Sequence, residues 1–150
     1  MSGPVLSGLS NASYTALSAP VALSPNLTLT DSSSLTMVSA TVQISAGTFA
    51  GDGDVLVTDT TGIAITATYD SSTETLTLTG VDTFADYQHA LQSVTFSSFN
   101  SNPTNFGSNG TRTITWTVND GTSSSGPQNS ALTISRWRRI RRRPPAPPPT

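Results

Sequence analysis

A chain of 150 residues has room for one domain with a core of its own. Its composition excludes several classes at once. With no cysteine, neither a disulfide scaffold nor a thiolate zinc site is open to it, and no apolar run approaches the roughly 20 residues of a membrane helix. Charged residues make up 11%, against about 25% in an average domain, and Ser with Thr fills about a third of the chain. Threonine suits an exposed strand face, because its branched Cβ favours extended backbone while its hydroxyl stays in water. The formal net charge of −2 hides a split. Residues 1–135 carry all nine acids and a single base, Arg112, whereas six arginines crowd into Arg136–Arg143. A sandwich-forming body (1–135) and a disordered Arg/Pro-rich tail (136–150) are therefore expected.

In chain order, Pro4–Leu9 and Ser13–Leu17 read as short edge segments. Pro20 and Pro25 confine Val21–Leu23 to an edge strand. Leu27–Thr30 alternates and stops at the turn cluster Asp31–Ser34. Val38, Ala40, Val42 and Ile44 alternate over a longer strand, and AGTFAGDGD (46–54) is a glycine and aspartate loop before Val55–Val57. Ile63, Ile65, Ala67 and Tyr69 form the next inward row, joined through Asp70–Glu74 to Leu76 and Leu78 as a hairpin. At Asp82–Gln92 the period changes. Phe84, Tyr87 and Leu91 fall at helical spacing behind a capping Asp82 or Thr83, so one short helix near 83–92 is expected to cross between sheets.

Val94 and Phe96 return to strand, and Ser97–Gly110 is an Asn/Gly-rich loop. In TRTITWTVNDG (111–121), Ile114, Trp116 and Val118 share one face and Thr113, Thr115 and Thr117 the other, ending in an Asn-Asp-Gly bend. Trp116 is expected at the centre of the core, and Ala131–Ile134 closes the chain of strands. Many short strands separated by turn signals predict an all-β sandwich with Greek-key links.

Five segments, LTLTDSSSLTMVSATVQIS, AGDGDVL, YDSSTETLTLTG, FADYQHALQSVTF and TRTITWTVNDGT, occur in this order across most of residues 4–135. Together they resemble the cadherin-like, immunoglobulin-like repeat units of large, type I-secreted bacterial surface adhesins. The resemblance implies a structural or adhesive module, one of many in tandem, often with calcium at the junctions. Two departures stand out. Ser32–Ser34 occupy a stretch where such units often carry a second acid after the position of Asp31, and RWRRIRRRPPAPPPT replaces the usual passage into a next unit. That replacement leads us to expect an artificial end or a changed reading frame.

Calcium takes six to eight oxygen ligands. Asp31, Asp52, Asp54, Asn119 and Asp120, all at strand ends or in loops, are the candidate ligands, against the plainer reading that aspartates favour turns. Asp52-Gly-Asp54 invites comparison with the carboxylate pair of a glycosidase, but such pairs usually come from separate strands across an aromatic cleft. His89 has no nucleophile or acid demanded beside it and reads as an exposed helix residue. Asn11, Asn26 and Asn109 match the glycosylation acceptor pattern, which chance explains in so Ser/Thr-rich a chain. Met1–Ser10 lacks the features of a cleavable signal peptide, so the chain is expected to be a piece of a longer protein or to be exported by another route.

The expected function is thus a non-catalytic structural or adhesive module of a bacterial extracellular or cell-surface protein, with calcium as its cofactor. Its partners would be neighbouring modules of the same protein, or a surface or carbohydrate ligand. The rival reading is a viral or phage-like coat or decoration protein whose arginines at 136–143 neutralise nucleic acid.

Overall fold

The structure, a computed structural model, describes residues 4–30, 36–49, 51–100, 102–106, 108–125 and 127–135. The 136–150 tail lies outside them. In chain order the strands are β1 (Val5–Ser7), β2 (Ala12–Thr15), β3 (Val21–Ala22), β4 (Thr28–Thr30), β5 (Thr36–Ala46) and β6 (Asp54–Val57). There follow β7 (Thr66–Asp70), β8 (Thr75–Thr83), helix α1 (Phe84–Gln92), β9 (Thr95–Ser98), β10 (Thr111–Asn119) and β11 (Gln128–Ser135). The fold is an all-β sandwich.

One layer is a six-stranded sheet in the order β2-β11-β10-β5-β8-β7. The three-stranded sheet β3-β9-β6 and the ribbon β1-β4 share its core. The chain leaves the large sheet for β6, returns for β7 and β8, leaves again through α1 to β9, and returns for β10. Neighbouring strands are therefore often distant in sequence, as in a Greek key rather than a meander.

Alternation decides which groups enter the core. Along β10 the buried residues are Arg112, Ile114, Trp116 and Val118, while Thr113, Thr115 and Thr117 face outward. Trp116 is fully buried, as its register requires, and its indole N–H donates to Ser130 Oγ at 2.9 Å. That bond satisfies the one polar atom of the largest core side chain. Tyr14 sets its ring edge-on to Phe96, with centroids 5.1 Å apart and planes at 83°. α1 begins where the capping signal put it: Thr83 is the N-cap and accepts the Asp86 N–H at 3.2 Å. The helix buries Tyr87, Ala90 and Leu91 and leaves His89 exposed, as its spacing predicted.

The strand directions define two poles. β5 runs from Ser39, opposite Asn119, to Ala46, opposite Thr113. We name the Thr113 end the upper pole and the Asn119 end the lower. β11 runs antiparallel to β10 and leaves the sandwich at the upper pole. β2 pairs parallel with β11 and so also runs upward. β3, antiparallel to β9, carries the chain back down, and β4 runs on beside α1 toward its lower, N-terminal end, with the Leu27 carbonyl accepting from Gln92 and the Leu29 N–H donating to Gln88. β1, antiparallel to β4, therefore rises from the lower pole. The described chain enters at one pole and leaves at the other.

Candidate cation site at the upper pole

Arg112 shares the inward register of Ile114 and Trp116, so its guanidinium is carried into the sandwich and is fully buried. A buried charge is tolerated only when it is paired and its donors are satisfied. Asp54, the first residue of β6, meets that need. Arg112 Nε donates to Asp54 Oδ2 at 2.6 Å and Nη2 to Oδ1 at 3.3 Å. Nη2 also donates to the Pro103 carbonyl (2.7 Å) and Nη1 to the Asn109 carbonyl (2.8 Å), and the guanidinium carbon lies 5.4 Å from the centre of the Phe49 ring. Arg112 thus fastens β10 to β6 and to the 102–109 loop.

Asp52 is buried beside this pair. It sits between Gly51 and Gly53, both at positive φ (78° and 69°). At Gly53 a Cβ would come within 2.8 Å of the Asn100 backbone nitrogen, so only glycine allows the loop to lie this close. Asp52 Oδ2 accepts the Phe49 N–H and Oδ1 the Asp54 N–H, each at 3.2 Å. The third carboxylate is Glu74, at the end of the β7–β8 turn, with φ at 52°. Its carbonyl accepts the Ile44 N–H at 2.9 Å, which fixes its backbone against β5. Its Oε1 is buried and accepts no hydrogen bond among the described residues.

Carboxylate oxygens of Asp52, Asp54 and Glu74 lie within 4.8 Å of one another. Burial, followed by the nearby Asp54 and Asp52 carboxylates, pushes the Glu74 carboxyl up to about 8. Burial also raises Asp54, against the downward pull of Arg112. The Tyr69 phenol donates to the Asp54 carbonyl at 2.7 Å and is raised by burial and by the surrounding negative charge.

Three carboxylates against one guanidinium leave two uncompensated negative charges when all are ionised. Such a group could hold a metal ion, and all-oxygen donors with an orphaned buried oxygen suit a hard divalent cation.

The five ligands expected from sequence do not form one set. Asp52 and Asp54 come together at the upper pole. Asn119 and Asp120 lie at the lower pole, and from Arg112 to Asp120 an eight-residue stretch of strand spans roughly 26 Å. There they close a turn: Asn119 Oδ1 accepts the Gly121 N–H at 2.6 Å, and Asp120 Oδ1 accepts those of Thr122 (2.8 Å) and Ser123 (2.7 Å). Asp31 lies outside the described residues. Glu74 and Arg112 did not figure among the expected site residues. Arg112 carried a signal, being the sole base of residues 1–135 and in the same alternation as Trp116. Glu74 carried none, since a turn glutamate is ordinarily solvated.

A second feature is the outward face of the large sheet. Across four strands, registered rows read Thr117–Thr41–Thr77–Thr68 and Asn119–Ser39–Thr79–Thr66. Cross-strand hydroxyl bonds join part of this face, with Ser45 Oγ and Thr115 Oγ1 2.7 Å apart and Thr115 Oγ1 donating to Asn129 Oδ1 at 3.0 Å. A shallow groove of about 170 Å³ runs between β5 and β10, lined by Ser39, Thr41, Thr117, Asn119 and Ser124 among others.

The chain matches no family model and no curated protein.

Proposed function

We propose that the chain is a non-catalytic structural and adhesive module of a bacterial extracellular or cell-surface protein, set end to end with neighbouring modules and stabilised by calcium at its upper pole. The observation that carries this reading is the threading of the sandwich, with β1 rising from the lower pole and β11 leaving at the upper one beside Asp52, Asp54 and Glu74. A unit threaded in this way adds its full length to a row. Head-to-tail neighbours would bring the carboxylates of one upper pole toward Asn119 and Asp120 of the next lower pole. A divalent cation would offset the negative charge that Arg112 leaves unbalanced once Glu74 is ionised. The hydroxyl rows supply an uncharged surface suited to a neutral carbohydrate.

The test is thermal melting of the full chain in calcium and in chelator. Calcium is expected to raise the midpoint, by an amount equivalent to about 2.7 kcal/mol at a hundred times Kd. In Glu74→Gln that rise should largely disappear. Equal midpoints in calcium and chelator would remove the cation from the proposal.

A further inference from the structure

The outward hydroxyls of the large sheet fall into two groups. Toward the upper pole they are spent on one another, with Ser45 Oγ and Thr115 Oγ1 2.7 Å apart and Thr115 Oγ1 donating to Asn129 Oδ1 at 3.0 Å. Toward the lower pole, Thr117 stands opposite Thr41 and Asn119 opposite Ser39. There the hydroxyls of Ser39, Thr41 and Thr117 make no hydrogen bond among the described residues. Asn119 Oδ1 is taken by the Gly121 N–H at 2.6 Å, which holds the amide in place and leaves its Nδ2 as a donor. These four side chains line the groove of about 170 Å³ between β5 and β10.

The groove exists because β11 stops pairing with β10 beyond Trp116. The chain that follows the Asn119–Ser123 turn takes its place. The Ser125 N–H donates to the Val118 carbonyl at 2.8 Å, Ser125 Oγ accepts the Val118 N–H at 3.1 Å, and Ser124 bridges to Asn119. Ser124 thereby borders the groove. Ser39, Thr41 and Thr117 are half-buried within it, whereas Thr66, Thr68 and Thr79 on the same face are exposed.

We propose that this groove binds one ring of a neutral hexopyranose. Its lining disfavours other occupants. No charged side chain lines it, so an ion finds no hold. β5 lies between β10 and β8, and β10 between β5 and the 123–125 segment, so no main-chain edge is open to a peptide strand. Ala40 and Val118 are the apolar members of the lining, and both are buried in the core, so an apolar ligand would cover hydroxyls without pairing them. What the groove offers is three hydroxyls, each able to donate and accept, and one amide donor. Partners across the strands stand about 5 Å apart and neighbours along a strand about 7 Å, which sets polar groups on opposite sides of a single sugar ring. The volume is well under the roughly 300–1,000 Å³ of drug-sized sites, so one ring fills it. The inference rests on the neutral-carbohydrate part of the function proposed above, and not on calcium or on tandem neighbours.

The experiment is titration of the full chain with the methyl glycosides of glucose, galactose and mannose, followed by two-dimensional NMR of the backbone amides. At least one should give saturable shifts centred on residues 39–41 and 117–124. The affinity should be millimolar, because a few neutral hydrogen bonds without an aromatic platform hold a ligand weakly. Thr41→Val with Thr117→Val keeps the branched shape and removes two hydroxyls, so it should weaken binding about tenfold or more at an unchanged melting midpoint. Thr41→Ser with Thr117→Ser keeps both hydroxyls and should still bind. Thr66→Val with Thr68→Val, on the same face outside the groove, should leave Kd unchanged.

Shifts that never saturate with any of the three sugars overturn the proposal and the carbohydrate part of the reading above with it. Saturable binding that survives Thr41→Val with Thr117→Val overturns the groove alone and assigns the sugar to another part of the chain. Binding lost equally in Thr66→Val with Thr68→Val also overturns it, since the whole face would then be the site. Calcium-dependent melting bears on none of these outcomes, so the cation and the sugar fail separately.

Discussion

Arg112 and Trp116 occupy the same face of one strand, and both are buried. Trp116→Ala removes the largest buried side chain and should lower stability by about 3–5 kcal/mol in urea denaturation. Arg112→Met should cost a similar amount, about 3–5 kcal/mol, because it strands the Asp54 carboxylate in the interior. Pairing it with Asp54→Leu should recover much of that loss, and a double-mutant cycle reads the recovery directly.

Glu74 makes stability depend on pH. Its folded value near 8 lies above the ordinary 4.5, so the folded state binds its proton more tightly than the unfolded chain. This contribution is fully present below about pH 4.5 and is lost as pH rises through 8. In chelator, the wild-type urea midpoint should therefore fall between pH 5 and pH 8.5 by more than that of Glu74→Gln. Calcium, which binds the ionised form, should reduce the fall.

At the scale of elements, local chemistry and long-range contact can be separated. α1 starts at Thr83 because that side chain satisfies an otherwise unpaired helix N–H, so Thr83→Ala should cost about 1 kcal/mol. Nothing distant is needed to explain it. The bend after β5 is different. Gly47 has φ at 86°, and a Cβ there would lie 2.0 Å from the Thr111 carbonyl oxygen. Gly47→Ala should accordingly cost more than the roughly 1 kcal/mol of an ordinary glycine substitution, since the β5–β10 pairing itself must shift. A drop in the urea midpoint no larger than that of Thr83→Ala would count against this close approach.

For the whole molecule, direction matters more than composition. β2 could have paired antiparallel at the edge of either sheet. By pairing parallel with β11, it leaves the start of β1 and the end of β11 at opposite poles. The carboxylate cluster and the departing strand then share the upper pole. The outward threonine rows, in contrast, cover the side of the molecule and carry little charge. A sandwich loaded in this way should gain stability from events at its end, and the comparison of calcium with chelator tests that at the level of the full chain.

The sequence by itself determined the all-β character, the helix over Phe84–Gln92 and the burial of Trp116, because each follows from local periodicity and one capping side chain. Residue type and spacing of two or of three to four are enough to decide which face turns inward. The sequence also put Arg112 in that inward register, although its burial meant nothing without a partner. Only the tertiary structure decided the partner. Asp52, Asp54, Glu74 and Arg112 sit on three separate stretches of chain, and no local rule brings a turn glutamate beside a loop aspartate. The same holds for Asn119 and Asp120, whose turn chemistry looks like that of Asp52 until strand direction places them at the other pole. Whether a carboxylate stays in water or gathers with others is set by what arrives across the sandwich, and topology and register control that.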